Sequence, residues 1–314
     1  MVDISGLIES RKDKTFIEIP AGKGNIAVIS VRGKGLAEAW ENSLLALYHY
    51  GAEIRTEYDS KNSSGNYIDP PSRDCTMRMI VDEPLSDPML HRCFPGSLDD
   101  LEEYRQEVLF GIKDHWIRNP DDPDDKRWEY TYHERLFKYS VPGRKDTVDQ
   151  IEAVVEGLSR SPISRRWQAV TWKAWQDEGI ADPPCLQSLW FRIMPDENDI
   201  WWLNMNMRFR SRDAYDAAFM NDFAFISLME NMAKRISNKA GKKVRLGRFV
   251  DESDSYHIYG SRIKDFEERF LKQVMSRSFE DRTWTLQFAE PFFSDARPKI
   301  KEKIEDYDKN SRRQ

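Results

Sequence analysis

The chain has 314 residues, enough for two average domains or for one large enzyme domain, and 39% of them are apolar, so a sizeable core can form. Its net charge of -6 argues against a surface that binds nucleic-acid backbone, and no apolar run approaches the roughly 20 residues of a membrane span. Three cysteines without CxxC spacing argue against a disulfide framework or a zinc site, so we expect a cytoplasmic protein without metal, nucleic-acid or membrane partners.

The first clear helix is predicted from Leu36 to Tyr50. Apolar residues recur at helical spacing, with Trp40 and Leu44 on one stripe. Glu41 borders this buried stripe. The carboxylate is either a solvated residue at the edge of the stripe or a functional group.

An acidic, proline-punctuated segment from Asn119 to Lys126 is predicted to be a solvated loop, because it lacks the glycine and the distal glutamate of an EF-hand. An amphipathic helix follows from Asp149 to Leu158. The basic pair Arg165 and Arg166 comes shortly after it. This pair could hold an anionic ligand, or it could only cap the end of the helix.

Two strands, 186–194 and 200–210, are predicted to form a hairpin around a turn at 195–199. Opposed positions should sum to about 395, which pairs Cys185 with Arg210. A neighbouring cation favours the thiolate, so Cys185 is a candidate nucleophile. The alternative is that this cysteine packs as a small hydrophobic residue.

The remainder of the chain is predicted to contain further regular elements. A long helix should run over 219–236 and a shorter one over 264–275, with strands at 244–249 and 256–259 between them. The charged tail, 299–314, should be a loose helix or disordered.

Several blocks, taken in order, resemble the thymidylate synthase superfamily, which includes the pyrimidine nucleotide hydroxymethylases. The resemblance covers roughly residues 36–266 and is strongest in the middle of the chain. Each block alone is weak, and the ordered set is specific. The blocks are Asp149-Gln150-Ile151, Ser161-Pro162-Ile163-Ser164-Arg165-Arg166, Pro183-Pro184-Cys185, Arg210-Ser211-Arg212-Asp213, Asn221 and His257-Ile258-Tyr259.

The resemblance implies an α/β (α+β) fold of three layers, in which helices flank a large mixed, mainly antiparallel sheet. It implies one catalytic domain over residues 1–314, with a diverged N-terminal third and a charged tail at about 299–314. By resemblance, the Cys185 thiolate adds to C6 of a pyrimidine nucleotide, and C5 then attacks the methylene carbon of methylenetetrahydrofolate, the cosubstrate. No metal is implied.

Phosphate binding is implied for four residues. Arg210 and Ser211 resemble the phosphate-binding pair of the family. Arg165 and Arg166 resemble the arginines that reach into the site of a partner subunit, which implies a homodimer with shared sites. Guanidinium groups suit a phosphate on an otherwise acidic protein.

The resemblance assigns roles to five more side chains. His257 and Tyr259 match the contacts to the sugar hydroxyl, and they share one face of a strand. Tyr132 resembles the tyrosine near the C5 proton, Glu41 the glutamate that organises water and proton transfer, and Asp213 the aspartate that faces the pterin.

The identity of the base stays open. Asn221 follows Arg210 by eleven residues, as does the base-reading asparagine of thymidylate synthases, and an asparagine can pair with uracil or, flipped, with cytosine. Hydroxymethylases of dCMP carry aspartate at that position, and Asp222 is adjacent to it.

The product is inferred from a departure at the C-terminus. The short apolar segment that closes over folate in the synthases is not found there, and without closure water can compete with hydride for the intermediate. This favours hydroxymethylation of CMP or dCMP. Methylation of dUMP and a non-catalytic nucleotide-binding dimer are the alternatives.

Overall fold

The computed structural model describes residues 2–119, 122 and 124–311. Part of the predicted acidic loop, at 120, 121 and 123, therefore lies outside the described residues, as do the last three residues of the predicted tail.

The secondary structure follows the predicted order of elements. The strands are β1 (Thr15–Ile19), β2 (Ala27–Gly33), β3 (Ala52–Ile54), β4 (Ser72–Val81), β5 (Leu90–His91), β6 (Gln168–Val170), β7 (Leu186–Pro195), β8 (Trp201–Phe209), β9 (Arg212–Asp213), β10 (Val244–Ile258) and β11 (Thr283–Trp284). The helices are α1 (Ser5–Glu9), α2 (Leu36–Tyr50), α3 (Leu98–Phe110), α4 (Tyr132–Phe137), α5 (Gln150–Arg160), α6 (Ala174–Asp177), α7 (Ala218–Ala240), α8 (Gly260–Asp265), α9 (Lys272–Ser276) and α10 (Leu286–Ser311).

Among the described residues, nine strands form one mixed sheet. Its main order is β1-β2-β4-β10-β8-β7-β6, while β3 pairs with β4 and β9 with β10. The β2–β4 and β9–β10 pairs are parallel, and the β1–β2, β3–β4, β4–β10 and β6–β7 pairs are antiparallel. The predicted fold class, a mainly antiparallel mixed sheet with helices, is confirmed.

The chain divides into two compact units. The first unit comprises Met1–Pro95, Arg208–Asp222 and Arg248–Leu286. Its core includes α2, whose apolar stripe is fully buried with Trp40 at its centre, and the inward positions of β2 and β4. The indole of Trp40 donates to the carbonyl of Ala214 at 3.0 Å.

The second unit comprises Gly96–Met207, Phe223–Gly247 and Gln287–Gln314. Its helix α5 begins where the sequence indicates, because the Asp149 carboxylate accepts from the N–H of Glu152 at 2.7 Å as an N-cap. Ile151 and Leu158 bury the apolar stripe of α5. The single catalytic domain stays a prediction.

The predicted strands 244–249 and 256–259 are one strand, β10, which corrects the sequence analysis. The intervening polar stretch stays paired with β4, and a register irregularity between Ser253 and Tyr256 takes up the change in pattern. Alternation was broken there, so the pattern gave two short strands in place of one.

The predicted tail is part of a helix that begins earlier, at Leu286, and runs to Ser311. The prediction of a helix at 264–275 corresponds to α8, a π-helical segment at Phe266–Leu271, and α9. Across the described residues, no helix is both long and apolar enough to cross a bilayer.

The predicted hairpin of β7 and β8 is out of register by one residue at its turn. The N–H of Asp196 donates to the carbonyl of Ile200 at 3.0 Å, so opposed positions sum to 396 there. The alternation of buried and half-buried side chains along β7 is interrupted between Leu186 and Leu189, where two half-buried residues follow each other. The pairing of Cys185 with an arginine stays a prediction.

Candidate active site

The predicted site residues lie in both units. The second unit holds Tyr132, Arg165, Arg166 and Cys185. The first unit holds the other seven, which are Glu41, Arg210, Ser211, Asp213, Asn221, His257 and Tyr259.

Cys185 lies immediately before β7, and its side chain is half-buried. Its backbone is within hydrogen-bonding reach of Tyr130, and the N–H of Leu186 donates to the Tyr132 hydroxyl at 3.4 Å. Burial raises the pKa of Tyr130 to about 12 and that of Tyr132 well above its ordinary value. Both phenols therefore keep their protons at neutral pH beside Cys185.

The other two thiols are poor nucleophiles. Cys75 is fully buried in β4, and burial raises its pKa well above the ordinary value. Burial also raises the pKa of Cys93 to about 11, and the nearby carboxylate of Glu41 adds to this effect. Neither thiol is appreciably ionised at neutral pH.

A small cavity of about 220 Å³ adjoins Tyr132. Its walls are aromatic and acidic, formed by Tyr104, Glu107, Trp128, Glu129, Tyr130, Thr131, Tyr132 and Asp182. Burial raises the pKa of Glu107, and its ion pair with Lys113 at 3.1 Å opposes this. Such walls suit a planar ring with hydrogen-bond donors on its edge.

A buried ion pair fixes α4, the helix that begins at Tyr132. Arg135 is fully buried and donates to both carboxylate oxygens of Asp177, at 2.7 and 2.8 Å. The Gln150 amide donates to the carbonyls of Arg135 and Val170. Sequence analysis missed Arg135 and Asp177, although Gln150 stands in a block that carried the resemblance.

Arg165 and Arg166 are exposed in the loop between α5 and β6. The Arg165 carbonyl accepts from the Trp190 indole at 2.9 Å, and the Arg166 side chain donates to Ser164 at 3.0 Å. The backbone of this loop is thus fixed, while the two guanidinium groups remain on the surface.

In the first unit, β9 places Asp213 beside His257 of β10, its register partner. Burial raises the pKa of Asp213 to about 6, although the backbone N–H groups of Asp216 and Tyr215 donate to its carboxylate and oppose this. The ring of Tyr259 lies 4.7 Å from that of His257. The structure therefore brings Asp213, His257 and Tyr259 together.

Arg210 and Ser211 occupy the link between β8 and β9, and both are half-buried. The Arg210 carbonyl accepts from the N–H of Ser255 at 3.2 Å, which attaches the link to β10. Asn221 lies in the first turn of α7 with 8% of its surface exposed.

Asp222, the neighbour of Asn221, is committed to a buried ion pair. Its carboxylate accepts from Arg212 at 2.6 Å, and Arg212 also pairs with Asp251. All three side chains are buried. Burial raises the pKa of Asp222 well above its ordinary value, and Arg212 opposes this. Asp222 is a core residue in this arrangement and does not replace Asn221.

Glu41 is buried among three cationic or polar side chains. Its carboxylate accepts from Arg11 at 2.7 Å, from Arg282 at 2.6 and 2.8 Å, and lies 3.0 Å from the His91 ring. Burial would raise its pKa, but the hydrogen bonds from Arg282 and His91 outweigh it and lower the pKa far below the usual range. This geometry favours a structural ion pair, and the role of Glu41 in proton transfer stays a prediction.

The blocks that carry the resemblance, at 149–259, lie within a region that a known family matches. The sequence model of the family described as thymidylate synthase matches residues 100–312. A Methanosarcina barkeri protein named "Putative thymidylate synthase" is 28% identical over 229 residues, which cover 73% of this chain and 88% of that protein. A Methanocaldococcus jannaschii protein of the same name is 24% identical over 256 residues, covering 79% and 98%.

A solved structure of thermostable thymidylate synthase A from Bacillus subtilis superposes on this chain with a TM-score of 0.53. The alignment covers 75% of this chain and 83% of the Bacillus chain at 16% identity. At this identity the likeness concerns the fold.

Proposed function

The chain belongs to the thymidylate synthase family, and on this premise we propose that it transfers a one-carbon unit to C5 of a pyrimidine nucleoside monophosphate, with Cys185 as nucleophile. The family uses methylenetetrahydrofolate as carbon donor. The observation that carries the proposal is the contrast among the three thiols. Burial raises the pKa values of Cys75 and Cys93. Cys185 is half-buried, as Cys93 is, but it lies beside Tyr130 and Tyr132, which line an aromatic cavity.

The proposed chemistry begins at the Cys185 sulfur. The thiolate adds to C6 of the base, and the electron pair of the C5–C6 double bond makes C5 a nucleophile. The reduced folate supplies the methylene carbon that C5 attacks. C5 then loses its proton as the C–N bond between the methylene carbon and the folate breaks, which leaves an exocyclic methylene on C5 while the sulfur is still bonded to C6. Addition of water to this methylene would give a hydroxymethyl group, and addition of a hydride from the folate would give a methyl group. In either case the C5–C6 double bond re-forms and the thiolate leaves C6. Cys185 is thereby regenerated.

Tyr132 is proposed to act as a neutral hydroxyl near this chemistry. Because burial keeps its phenol protonated, it does not serve as an anionic base at neutral pH. The adjoining cavity, with its aromatic walls and the carboxylates of Glu107 and Asp182, suits a pterin-like ring. By the resemblance, Asp213 is proposed to face the pterin of the folate.

We propose that Arg210 and Ser211 bind the phosphate of the nucleotide, and that Arg165 and Arg166 complete that site in a second copy of the chain. The exposure of the latter two guanidinium groups on an anchored loop supports this role. The assembly would be a homodimer with shared sites. A cytoplasmic location stays a prediction from composition.

Hydroxymethylation of CMP or dCMP is the first specific reaction that we propose. Asn221 accommodates cytosine in one orientation of its amide and uracil in the other. Methylation of dUMP is the second candidate, and the names of the archaeal relatives favour it. His257 and Tyr259 are proposed to contact the sugar in either case.

The test is mass spectrometry of nucleotide products after incubation with methylenetetrahydrofolate and CMP, dCMP, UMP or dUMP. A gain of one hydroxymethyl group would identify a hydroxymethylase, and a gain of one methyl group would identify a thymidylate synthase. Cys185→Ala should abolish turnover, whereas Cys93→Ala, the matched control, should retain it.

Release of tritium from C5 of the nucleotide provides a second readout. No release and no product with any of the four nucleotides would overturn the proposal. Nucleotide-dependent thermal stabilisation without product would instead support a non-catalytic nucleotide-binding dimer.

A further inference from the structure

Asp74, Ser255 and His257 form an array of polar side chains, in which His257 is buried and the other two are half-buried. Asp74 on β4 is the register partner of His257 on β10, and directly opposed residues of antiparallel strands share one face of the sheet. Ser255 precedes His257 by two residues and projects to the same side. Its hydroxyl donates to the Asp74 carboxylate at 2.8 Å and lies 3.2 Å from Nδ1 of His257.

The proton count of this array fixes the tautomer of the imidazole. Ser255 has one hydroxyl proton, and it is donated to Asp74. The contact between Ser255 and Nδ1 then needs a proton from the imidazole. A neutral imidazole carries one N–H, so a proton on Nδ1 leaves Nε2 as an acceptor.

Burial of His257 favours this neutral form. Burial lowers the pKa of His257, and the carboxylate of Asp74 opposes the effect. Asp213 faces the same residue from β9, and burial raises its pKa to about 6. Tyr259 packs its ring edge against the imidazole.

Nε2 of His257 is buried and has no hydrogen-bond partner within the described residues. A buried polar atom of this kind requires an explanation, because leaving it unpaired is unfavourable. Tyr259 also lines a cavity of about 230 Å³ with Tyr58, Asp59, Ser60, Asp69, Gly260 and Ser261. His257 does not line this cavity, but a ligand that brings a hydroxyl donor to Nε2 would satisfy that atom.

We propose that Asp74 and Ser255 are positioning residues that hold His257 in the Nδ1–H tautomer, so that Nε2 accepts a hydrogen bond from a sugar hydroxyl of the nucleotide. The identity of the ligand rests on the proposed function. The tautomer does not, since it follows from the contacts of the array. The site therefore selects ligands that donate a hydrogen bond at this position over those that only accept one.

The direct test is two-bond ¹H–¹⁵N correlation NMR of the full-length protein labelled with ¹⁵N-histidine. The chain has five histidines, and His257→Gln identifies the signal of interest. At neutral pH we expect a protonated Nδ1 and an unprotonated Nε2. A protonated Nε2 in the unmodified protein would overturn the proposal, whether or not any nucleotide is turned over.

Three variants test the positioning residues. Ser255→Ala removes the hydroxyl that contacts Nδ1, so the imidazole should no longer be held in the Nδ1–H tautomer. Ser255→Thr keeps a hydroxyl at this position and should keep the Nδ1–H tautomer. Asp74→Asn should shift His257 toward Nε2–H, because the asparagine amide can donate to Ser255, whose proton then turns to Nδ1. An unchanged tautomer in both Ser255→Ala and Asp74→Asn would refute their role.

The kinetic readout separates positioning from general damage. With the nucleotide that is turned over, Ser255→Ala should raise KM about tenfold with little change in kcat, as for loss of one well-made hydrogen bond. Ser255→Thr should restore KM. Equal losses in kcat by both variants would point to disrupted packing and contradict the proposal.

Discussion

Two polar clusters of the first unit differ in one respect. The glutamate cluster, formed by Arg11, Glu41, His91 and Arg282, provides a partner for each carboxylate oxygen. The histidine array, formed by Asp74, Ser255 and His257, leaves Nε2 unpaired. We call the glutamate cluster closed, because its carboxylate oxygens are all hydrogen-bonded within the fold. We call the histidine array open, because Nε2 remains able to accept a hydrogen bond from a ligand.

The largest expected effect comes from breaking the closed cluster. In Glu41→Gln, two guanidinium groups lose the carboxylate that neutralises them in a site where Glu41 and Arg282 are almost fully buried. We expect a loss of about 3 kcal/mol in the free energy of unfolding, measured by urea denaturation.

The same variant decides between two roles of Glu41. A structural role predicts a destabilised protein whose kcat at low temperature stays close to that of the parent chain. Unchanged stability together with loss of turnover would show that Glu41 transfers protons, as the resemblance implies.

Matched histidine substitutions sharpen the comparison. His91→Gln should lower the free energy of unfolding by about 2 kcal/mol, because His91 is fully buried against Glu41 and the ring of Trp40. His257→Gln should cost less stability and should mainly weaken nucleotide binding. Urea denaturation and nucleotide titration of both variants measure the two effects. Equal behaviour of the two variants would remove the distinction between the clusters.

The contributions of Glu41 and Asp213 to the free energy of unfolding should change in opposite directions as the pH rises. The pKa of Glu41 is lowered from its ordinary 4.5, so its stabilising contribution is present above that value and is lost as the pH falls further. The pKa of Asp213 is raised from 3.8 to about 6, so ionisation destabilises the fold as the pH rises through that interval.

Asp213→Asn tests the second titration. Its stability relative to the parent chain should improve by about 1 to 2 kcal/mol between pH 4 and pH 6.5, as measured by urea denaturation at each pH. A difference that does not vary with pH would mean that Asp213 keeps an ordinary pKa.

The smallest expected effect is at the rim of the open array. Tyr58 is 69% exposed, and its ring lies 6.0 Å from that of Tyr259. Tyr58→Ala should leave the free energy of unfolding nearly unchanged and weaken nucleotide binding by about 0.5 to 1 kcal/mol, as measured by calorimetry. Tyr58→Phe should retain the binding, and a loss in both variants would implicate the hydroxyl.

The amino-acid sequence predicted those helices and strands that are determined by the local periodicity of apolar residues. The helix at 36–50 has the expected ends, and α5 begins at the residue after its acidic N-cap. The strand β10 was divided in two because an irregularity interrupts its alternation. Hairpin register was off by one because a tight turn can close with different numbers of residues.

The partners within the site were harder to foresee. Ser255 could have been found from its spacing to His257, since alternate residues of a strand share a face. Asp74 and the partners of Glu41 could not, because they come from distant segments and only the sheet order brings them together. The ordered blocks therefore predicted the family and the fold, while the state of each polar group required the structure.

The ion pair between Glu41 and Arg282 joins positions 241 residues apart. During synthesis Glu41 emerges from the ribosome long before Arg282. The ion pair therefore cannot form until nearly the whole chain has emerged. The first unit is thus expected to reach its native state late, and nascent chains that end before Arg282 should depend on chaperones.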